Sequence, residues 1–169
     1  LITNIARSLW LGLTHGRFSK PTVKGAARKY FQQLNWMSAA FALAADATLM
    51  TMGGALKRKE RLSARLGDVL SELYIASATY KHFYDHGERE RELPLMQWAM
   101  EDSLFSMQEA LRGLLSNMPI RPVAWILRVL VFPTGLAFHK PSDSRDRAAA
   151  RLLLQPGPVR DHLTQHIYI

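Results

Sequence analysis

The chain has 169 residues, 48% of them hydrophobic, and no cysteine, which suits one domain with a sizeable core and excludes disulfides, thiolate metal sites and a cysteine nucleophile. The formal net charge is +8, and the first 65 residues hold 11 Lys and Arg against only Asp46 and Glu60 as acids. This asymmetry indicates an anionic partner for that end: nucleic acid, phospholipid, a phosphorylated ligand or an acidic neighbouring domain.

The first predicted element is a short amphipathic piece over residues 1–13 that ends at Gly16. The chain starts at Leu1 without a signal-peptide pattern, so we expect it to begin inside a longer gene product. We interpret residues 1–18 as a linker and the tail of an upstream helix.

A long helix is predicted next, from Ser19 as N-cap, with Pro21 in its first turn, to Met52, where Gly53 and Gly54 end it. About 30 residues in a helix span roughly 45 Å. Its apolar residues follow one another at alternating steps of four and three. They are Val23, Ala27, Tyr30, Leu34, Met37, Phe41, Ala44 and Thr48.

The next helix, from about Arg58 to Asp85, has the most regular apolar stripe of the chain. The stripe consists of Leu62, Leu66, Val69, Leu73, Ala76, Tyr80 and Phe83. A single helix cannot bury such a stripe alone, so the pattern predicts a bundle with this helix at its centre. The short connection before it predicts that it runs antiparallel to the preceding helix.

A third long helix is predicted from Pro94 to about Ser116, and an almost uniformly apolar segment follows over residues 123–132. Ten residues are too few to cross a bilayer, which needs about 20. The segment is therefore interpreted as a buried fourth helix or, alternatively, as an interfacial membrane helix. Beyond Gly135 only short helices are predicted. The sequence thus indicates an all-α antiparallel helical bundle over residues 19–135, with peripheral short helices and a C-terminal tail over 136–169.

Two features could carry chemistry. Asp46 is the only carboxylate before Ala55 and lies among apolar residues, so either a structural partner, such as an arginine on a neighbouring helix, or a catalytic role would explain it. His82 with His86, and His162 with His166, have the i, i+4 spacing that can place two imidazoles on one metal ion. Neither pair has a third ligand implied by the sequence, so we predict surface histidines and no metal.

The run from Leu34 through Ser77 resembles the C-terminal region of the long bacterial acyl-CoA dehydrogenases of fatty-acid β-oxidation. The most telling stretch, residues 53–68, reads GGALKRKERLSARLGD, and WLGL at 10–13 and FPTG at 132–135 flank the run. The likeness covers about Ile5 to Leu154. The module is also similar to the helical C-terminal extension of mitochondrial very-long-chain acyl-CoA dehydrogenase.

The resemblance implies a four-helix bundle that follows a flavin-binding catalytic body, in a parent enzyme that oxidises acyl-CoA with FAD. In that family the base is a glutamate of the preceding bundle, and no residue here matches its motif. We therefore assign no catalytic or flavin-binding residue and expect this chain alone to be inactive. The implied role is accessory: dimerisation, docking on the catalytic body, or membrane association, in the bacterial cytoplasm or peripherally on the inner membrane.

A basic cluster at the start of the central helix is the candidate interface. It consists of Lys57, Arg58, Lys59, Arg61 and Arg65. Positive charge there opposes the helix dipole by about 0.3–1 kcal/mol per exposed residue, so local stability does not explain it. We expect the partners to be acids on adjacent helices or on the catalytic body, or an anionic membrane surface.

The alternative function is a free-standing basic helical module that binds anionic lipid or nucleic acid. Nucleic acid is disfavoured because the basic residues alternate with core positions and no helix-turn-helix spacing occurs.

Overall fold

The computed structural model describes residues 2–17, 25–87 and 90–165, and in these ranges the chain is helical with no strand. The helices are α1 (Ile2–Thr14), α2 (Arg28–Met52), α3 (Glu60–Asp85), α4 (Leu93–Asn117), α5 (Arg121–Val131), α6 (Asp143–Leu154) and α7 (Pro158–Thr164), and a 3-10 helix (Gly53–Arg58) joins α2 to α3. The predicted all-α bundle is confirmed.

Helix α3 runs antiparallel to both α2 and α4. The rings of Phe31 in α2 and Tyr80 in α3 are 5.6 Å apart, so the start of α2 lies beside the end of α3. Arg65, near the start of α3, contacts Gly113, near the end of α4. The short connections therefore join neighbours, as predicted.

Helix α2 begins later than the sequence predicts. It starts at Arg28 and has 25 residues, about 38 Å, because Gly25 adopts a φ of +88° that an α-helix does not allow. The predicted cap at Ser19 and the proline at position 21 lie outside the described residues.

The deepest core belongs to α2 and α4, so the prediction that α3 is central is wrong. Side chains less than 2% exposed include Trp36 and Met37 of α2 and five large residues of α4, whereas Leu66 and Leu73 of α3 are only partly buried. Those of α4 are Met100, Leu104, Met107, Leu111 and Leu114. The heptad spacing identifies the face of α3 that packs, but it does not show how many neighbours cover that face.

Helix α1 packs against α2 and α5, and this brings the WLGL and FPTG motifs together at Trp36. A Cβ atom on Gly12 would lie 2.8 Å from Pro133 Cδ, so glycine is required there. The Trp36 indole Nε1 donates a hydrogen bond to the backbone oxygen of Val131, 3.2 Å away. The two separated motifs thus form one packing unit.

Helix α5 is amphipathic rather than buried all round. Ala124, Leu127 and Val131 face the core, while Trp125 and Val129 are more than 60% exposed. The interpretation of this segment as a buried fourth helix therefore holds for one face of α5 and is wrong for the other.

By length and composition alone, the segment Arg28–Arg58 is apolar enough to cross a membrane. One face of α2 supplies the core of the bundle, however, and a core helix of a soluble protein has the same composition.

Candidate functional site

The basic cluster lies where α2 ends and α3 begins. Lys57 and Arg58 are in the 3-10 helix, Lys59 precedes α3, and Arg61 and Arg65 are in its first two turns. The first four side chains are exposed and Arg65 is half-buried. The structure therefore presents four of the five cations to solvent on a short, turn-rich segment.

Within residues 2–17, 25–87 and 90–165, no ion pair or side-chain hydrogen bond engages a member of the basic cluster. Arg65 instead lies across Gly113, where an added Cβ would come within 2.8 Å of its Nε atom. Pairing with acids of adjacent helices, one reading of the cluster, is thus not seen among the described residues. The charges of the cluster face outward.

A second group of cations, which sequence reasoning missed, lies in a cavity of about 190 Å³ between α4 and α5. Arg112, Arg121 and Arg128 line it together with Trp125. Arg121, Trp125 and Arg128 follow one another at steps of four and three, so the spacing could have revealed their common face on α5. Only the fold shows that Arg112 of α4 joins them.

Two of these arginines have partners. The Arg121 guanidinium donates from Nη1 to the backbone oxygen of Ser116 at 2.8 Å. Arg112 donates to both carboxylate oxygens of Glu109, and this hydrogen bonding lowers the pKa of Glu109. The cavity is therefore basic on balance, with one acid at its edge.

The same end of the bundle exposes apolar side chains. Leu49 and Met50, close to the end of α2, are 56% and 69% exposed, and Trp125 of α5 is 69% exposed. The starts of α3 and α5 and the ends of α2 and α4 meet here, as the Arg65–Gly113 and Arg121–Ser116 contacts show. We call this surface, with both groups of cations, the basic end.

Asp46 has a structural partner on a neighbouring helix. Its Oδ2 accepts a hydrogen bond from Asn4 Nδ2 of α1, 2.7 Å away. This described partner is an amide, whereas the sequence suggested an arginine. This contact ties α1 to α2 and agrees with the structural interpretation of Asp46.

The histidine pairs are arranged differently from the prediction. His162 of α7 lies beside His82 of α3 and His86, the residue that follows α3, and candidate ligand atoms of the three are within 4.8 Å of one another. The fold therefore supplies a candidate third ligand that the sequence does not imply. Sequence could not have shown this, because 76 residues separate His86 from His162. His166 lies outside the described residues.

Two mostly apolar cavities are large enough for small ligands. One, of about 410 Å³, lies between α3 and α4 and is lined by Phe83, Met96 and Glu92 among others. The other, of about 560 Å³, lies between α2 and α3. Neither is lined by a lysine or arginine that could meet a pyrophosphate, so these cavities do not fit a flavin dinucleotide.

The outer part of the α2–α3 cavity continues into an exposed apolar face of α3. Leu70 and Tyr74 on this face are 56% and 77% exposed. Phe31 and Phe41 of α2 border the cavity. An apolar face of this kind is typical of an interaction surface.

A family model described as acyl-CoA dehydrogenase, C-terminal, bacterial type, matches residues 1–169. No solved structure matches the chain. The family match covers every element described above.

Proposed function

The chain belongs to the bacterial-type acyl-CoA dehydrogenase C-terminal family, and we propose that it is the accessory domain of an FAD-dependent acyl-CoA dehydrogenase of fatty-acid β-oxidation. The flavin and the catalytic base belong to the catalytic body of the same polypeptide. The domain comprises the bundle over residues 19–135 with the peripheral segments 1–18 and 136–169. The domain binds other surfaces and does not itself catalyse the reaction.

The basic end is the part of the domain that meets an anionic membrane surface, on the cytoplasmic face of the inner membrane. The observation that carries this proposal is that the cations of the basic cluster have no partner within the described residues, while Leu49, Met50 and Trp125 are exposed at the same end of the bundle. A Lys or Arg near anionic headgroups contributes about 1 kcal/mol, and exposed apolar side chains add burial in the interface. The amphipathic α5 suits the interfacial interpretation of residues 123–132.

Vesicle sedimentation tests the membrane role. The purified chain should sediment with vesicles containing anionic phospholipid and not with neutral vesicles, and added salt should release it because screening weakens exposed charges. Changing Lys57, Arg58 and Lys59 together to Gln should reduce the bound fraction severalfold.

The matched control removes the same number of charges elsewhere. Arg147, Arg151 and Arg160 lie on α6 and α7, and all three are exposed. Their triple change to Gln should leave binding close to that of the parent. If both variants lose the same bound fraction, net charge alone explains the binding and the basic cluster has no special role. If the parent does not bind anionic vesicles at low salt, the membrane role is refuted.

The exposed apolar face of α3 is the docking surface for the catalytic body. A C-terminal domain of a larger polypeptide needs a contact with the rest of that polypeptide, and Leu70 and Tyr74 form an apolar face that the described residues leave open. The catalytic body is therefore the occupant that the family membership favours.

The docking is tested in the full-length enzyme by changing Leu70 and Tyr74 to Lys. Limited proteolysis should then separate the domain from the body faster than in the parent. Leu153 and Leu154 of α6, which are 46% and 77% exposed, provide the control double change to Lys. If the α3 variant instead turns a dimer into monomers with the body still attached, a second copy is the occupant and the docking proposal fails.

A further inference from the structure

Three histidines from two helices separated in sequence converge at one end of α3. The ring centroids of His82 and His86 are 4.1 Å apart, and His162 lies 4.7 Å from His86 and 6.0 Å from His82. Candidate ligand nitrogens of the three lie within 4.8 Å of one another. We propose that His82, His86 and His162 together bind a divalent transition metal ion, with Zn²⁺ as the ion that suits them best.

Packing, and not a metal, brings His162 to this position. Val159 at the start of α7 is 5% exposed, and Leu163 lines the same cavity as Phe83 of α3 and Met96 of α4. His162 precedes Leu163 and is held beside α3 by these apolar contacts. The three imidazoles are therefore close together before any ion binds, which lowers the entropic cost of binding.

The tautomer of His86 suits metal coordination. Its Nδ1 lies 2.7 Å from the backbone oxygen of His82. A carbonyl oxygen can only accept, so Nδ1 carries the hydrogen and Nε2 is left with its lone pair. A metal-binding histidine commonly donates its other nitrogen in this way, which fixes the ring orientation.

The ligand nitrogens of the three histidines need to move only slightly closer together to bind one ion. Zinc binds histidine nitrogen at about 2.0–2.1 Å in tetrahedral geometry, so neighbouring nitrogens around the ion are about 3.3 Å apart. His82 is exposed and the other two are half-buried, so rotation of the side chains can close the difference. Three imidazoles suit Zn²⁺, Ni²⁺ and Cu²⁺ rather than Mg²⁺ or Ca²⁺, and they leave a fourth position for water or an external ligand.

Metal binding at this site would tie α7 to α3. Helix α7 has seven residues and only Val159 among them is buried, so its attachment to the bundle rests on few contacts. An ion bound by residues of both helices stabilises the docked arrangement of α7 because the undocked arrangement cannot offer all three ligands.

The test uses the purified chain without a polyhistidine tag and Zn²⁺ as the probe, in competition with a chromophoric chelator. We expect one tight site per chain. Changing His82, His86 or His162 singly to Ala should weaken binding by more than about tenfold, a loss that even outer-shell partners of metal sites produce. His139 is exposed and lies outside the cluster, so His139→Ala is the matched control and should bind as the parent does.

Protection of α7 supplies a second readout. Zinc should slow proteolytic cleavage within Pro158–Thr164 in the parent and in His139→Ala, and it should have no effect in His162→Ala. Circular dichroism confirms that each variant is folded. The proposal is overturned if the parent does not compete with the chelator, or if His139→Ala loses as much affinity as the cluster variants.

Discussion

Tyr30, Glu101 and Arg145 form a polar network that joins α2, α4 and α6. The Tyr30 hydroxyl donates to Glu101 Oε1 at 2.7 Å, and Arg145 Nε lies 2.8 Å from Glu101 Oε2. Arg145 also donates to Gln97 Oε1. Tyr30 is only 1% exposed, so its hydroxyl depends on this carboxylate for a partner. The network explains why the short α6 stays attached to the long helices.

Tyr30 should make the protein sensitive to alkaline pH. Burial, and next the hydrogen bond to Glu101, raise its pKa well above the ordinary value of 10.0. The folded state therefore keeps a proton that the unfolded chain loses above that pH, so stability is full below pH 10.0 and falls as the pH rises. The decrease for one group is up to about 1.4 kcal/mol per pH unit.

Urea unfolding of Tyr30→Phe at about pH 9 and about pH 11 measures this contribution. The parent should be more stable than the variant at the lower pH, and the difference should shrink at the higher pH. Tyr74 is 77% exposed, so Tyr74→Phe should differ from the parent by the same amount at both. A pH-independent difference for Tyr30→Phe would contradict the account.

Gln108 should be the most costly polar residue to replace in the core. It is 1% exposed, its Oε1 accepts from the backbone nitrogens of Ala137 and Phe138, and its Nε2 donates to the Phe138 oxygen. Leucine has a similar volume but leaves three backbone groups without their partner, and a single unsatisfied buried group costs about 1–3 kcal/mol. Gln108→Leu should therefore lower the free energy of unfolding by at least about 2 kcal/mol in urea. Gln155 is exposed, so the control Gln155→Leu should be nearly neutral. Equal stability of the two variants would show that the hydrogen bonds of Gln108 to the segment after α5 do not stabilise the fold.

Among the helices, α4 carries more packing energy than α3. Leu111 of α4 is fully buried, whereas Leu73 of α3 is partly buried and lines the α2–α3 cavity. Leu111→Ala should cost about 2–5 kcal/mol, the usual range for a buried leucine, and Leu73→Ala less than that. Urea unfolding of both variants decides the order. A larger loss at Leu73 would mean that the partly open face of α3 is covered in solution.

The sequence predicts which segments are helical better than it predicts where the helices begin and which of their faces are buried. Spacing correctly identifies the packed positions of α3, because Leu62, Val69, Ala76, Tyr80 and Phe83 are all buried. It misplaces the start of α2, since the positive φ of Gly25 depends on the chain around it. It also misjudges α5, where composition shows that residues are apolar but not that Trp125 and Val129 face away from the core.

At the scale of the whole molecule, a candidate site could be predicted from the sequence only where its residues lie close together along the chain. The basic cluster is contiguous and could be predicted, although the lack of partners within the described residues is known only from the fold. The approach of Arg112 to Arg121 and of His162 to His86 depends on how the helices pack, and no local pattern encodes it. Family resemblance supplies the parent chemistry but places none of it on this chain.

The isolated chain should bind no flavin and oxidise no acyl-CoA. Acyl-CoA oxidation needs a carboxylate base over the substrate α-carbon and a flavin on the opposite face. Asp46, the one candidate base from the sequence, accepts a hydrogen bond from Asn4 between two packed helices, and the two mostly apolar cavities offer no cation for the pyrophosphate of FAD. The purified chain should be colourless after incubation with FAD and gel filtration, and it should not reduce an electron acceptor when given palmitoyl-CoA. The full-length enzyme under the same conditions should be yellow and should reduce the acceptor. A yellow or active chain would contradict the accessory role, and loss of that activity in Asp46→Asn would then identify Asp46 as the base.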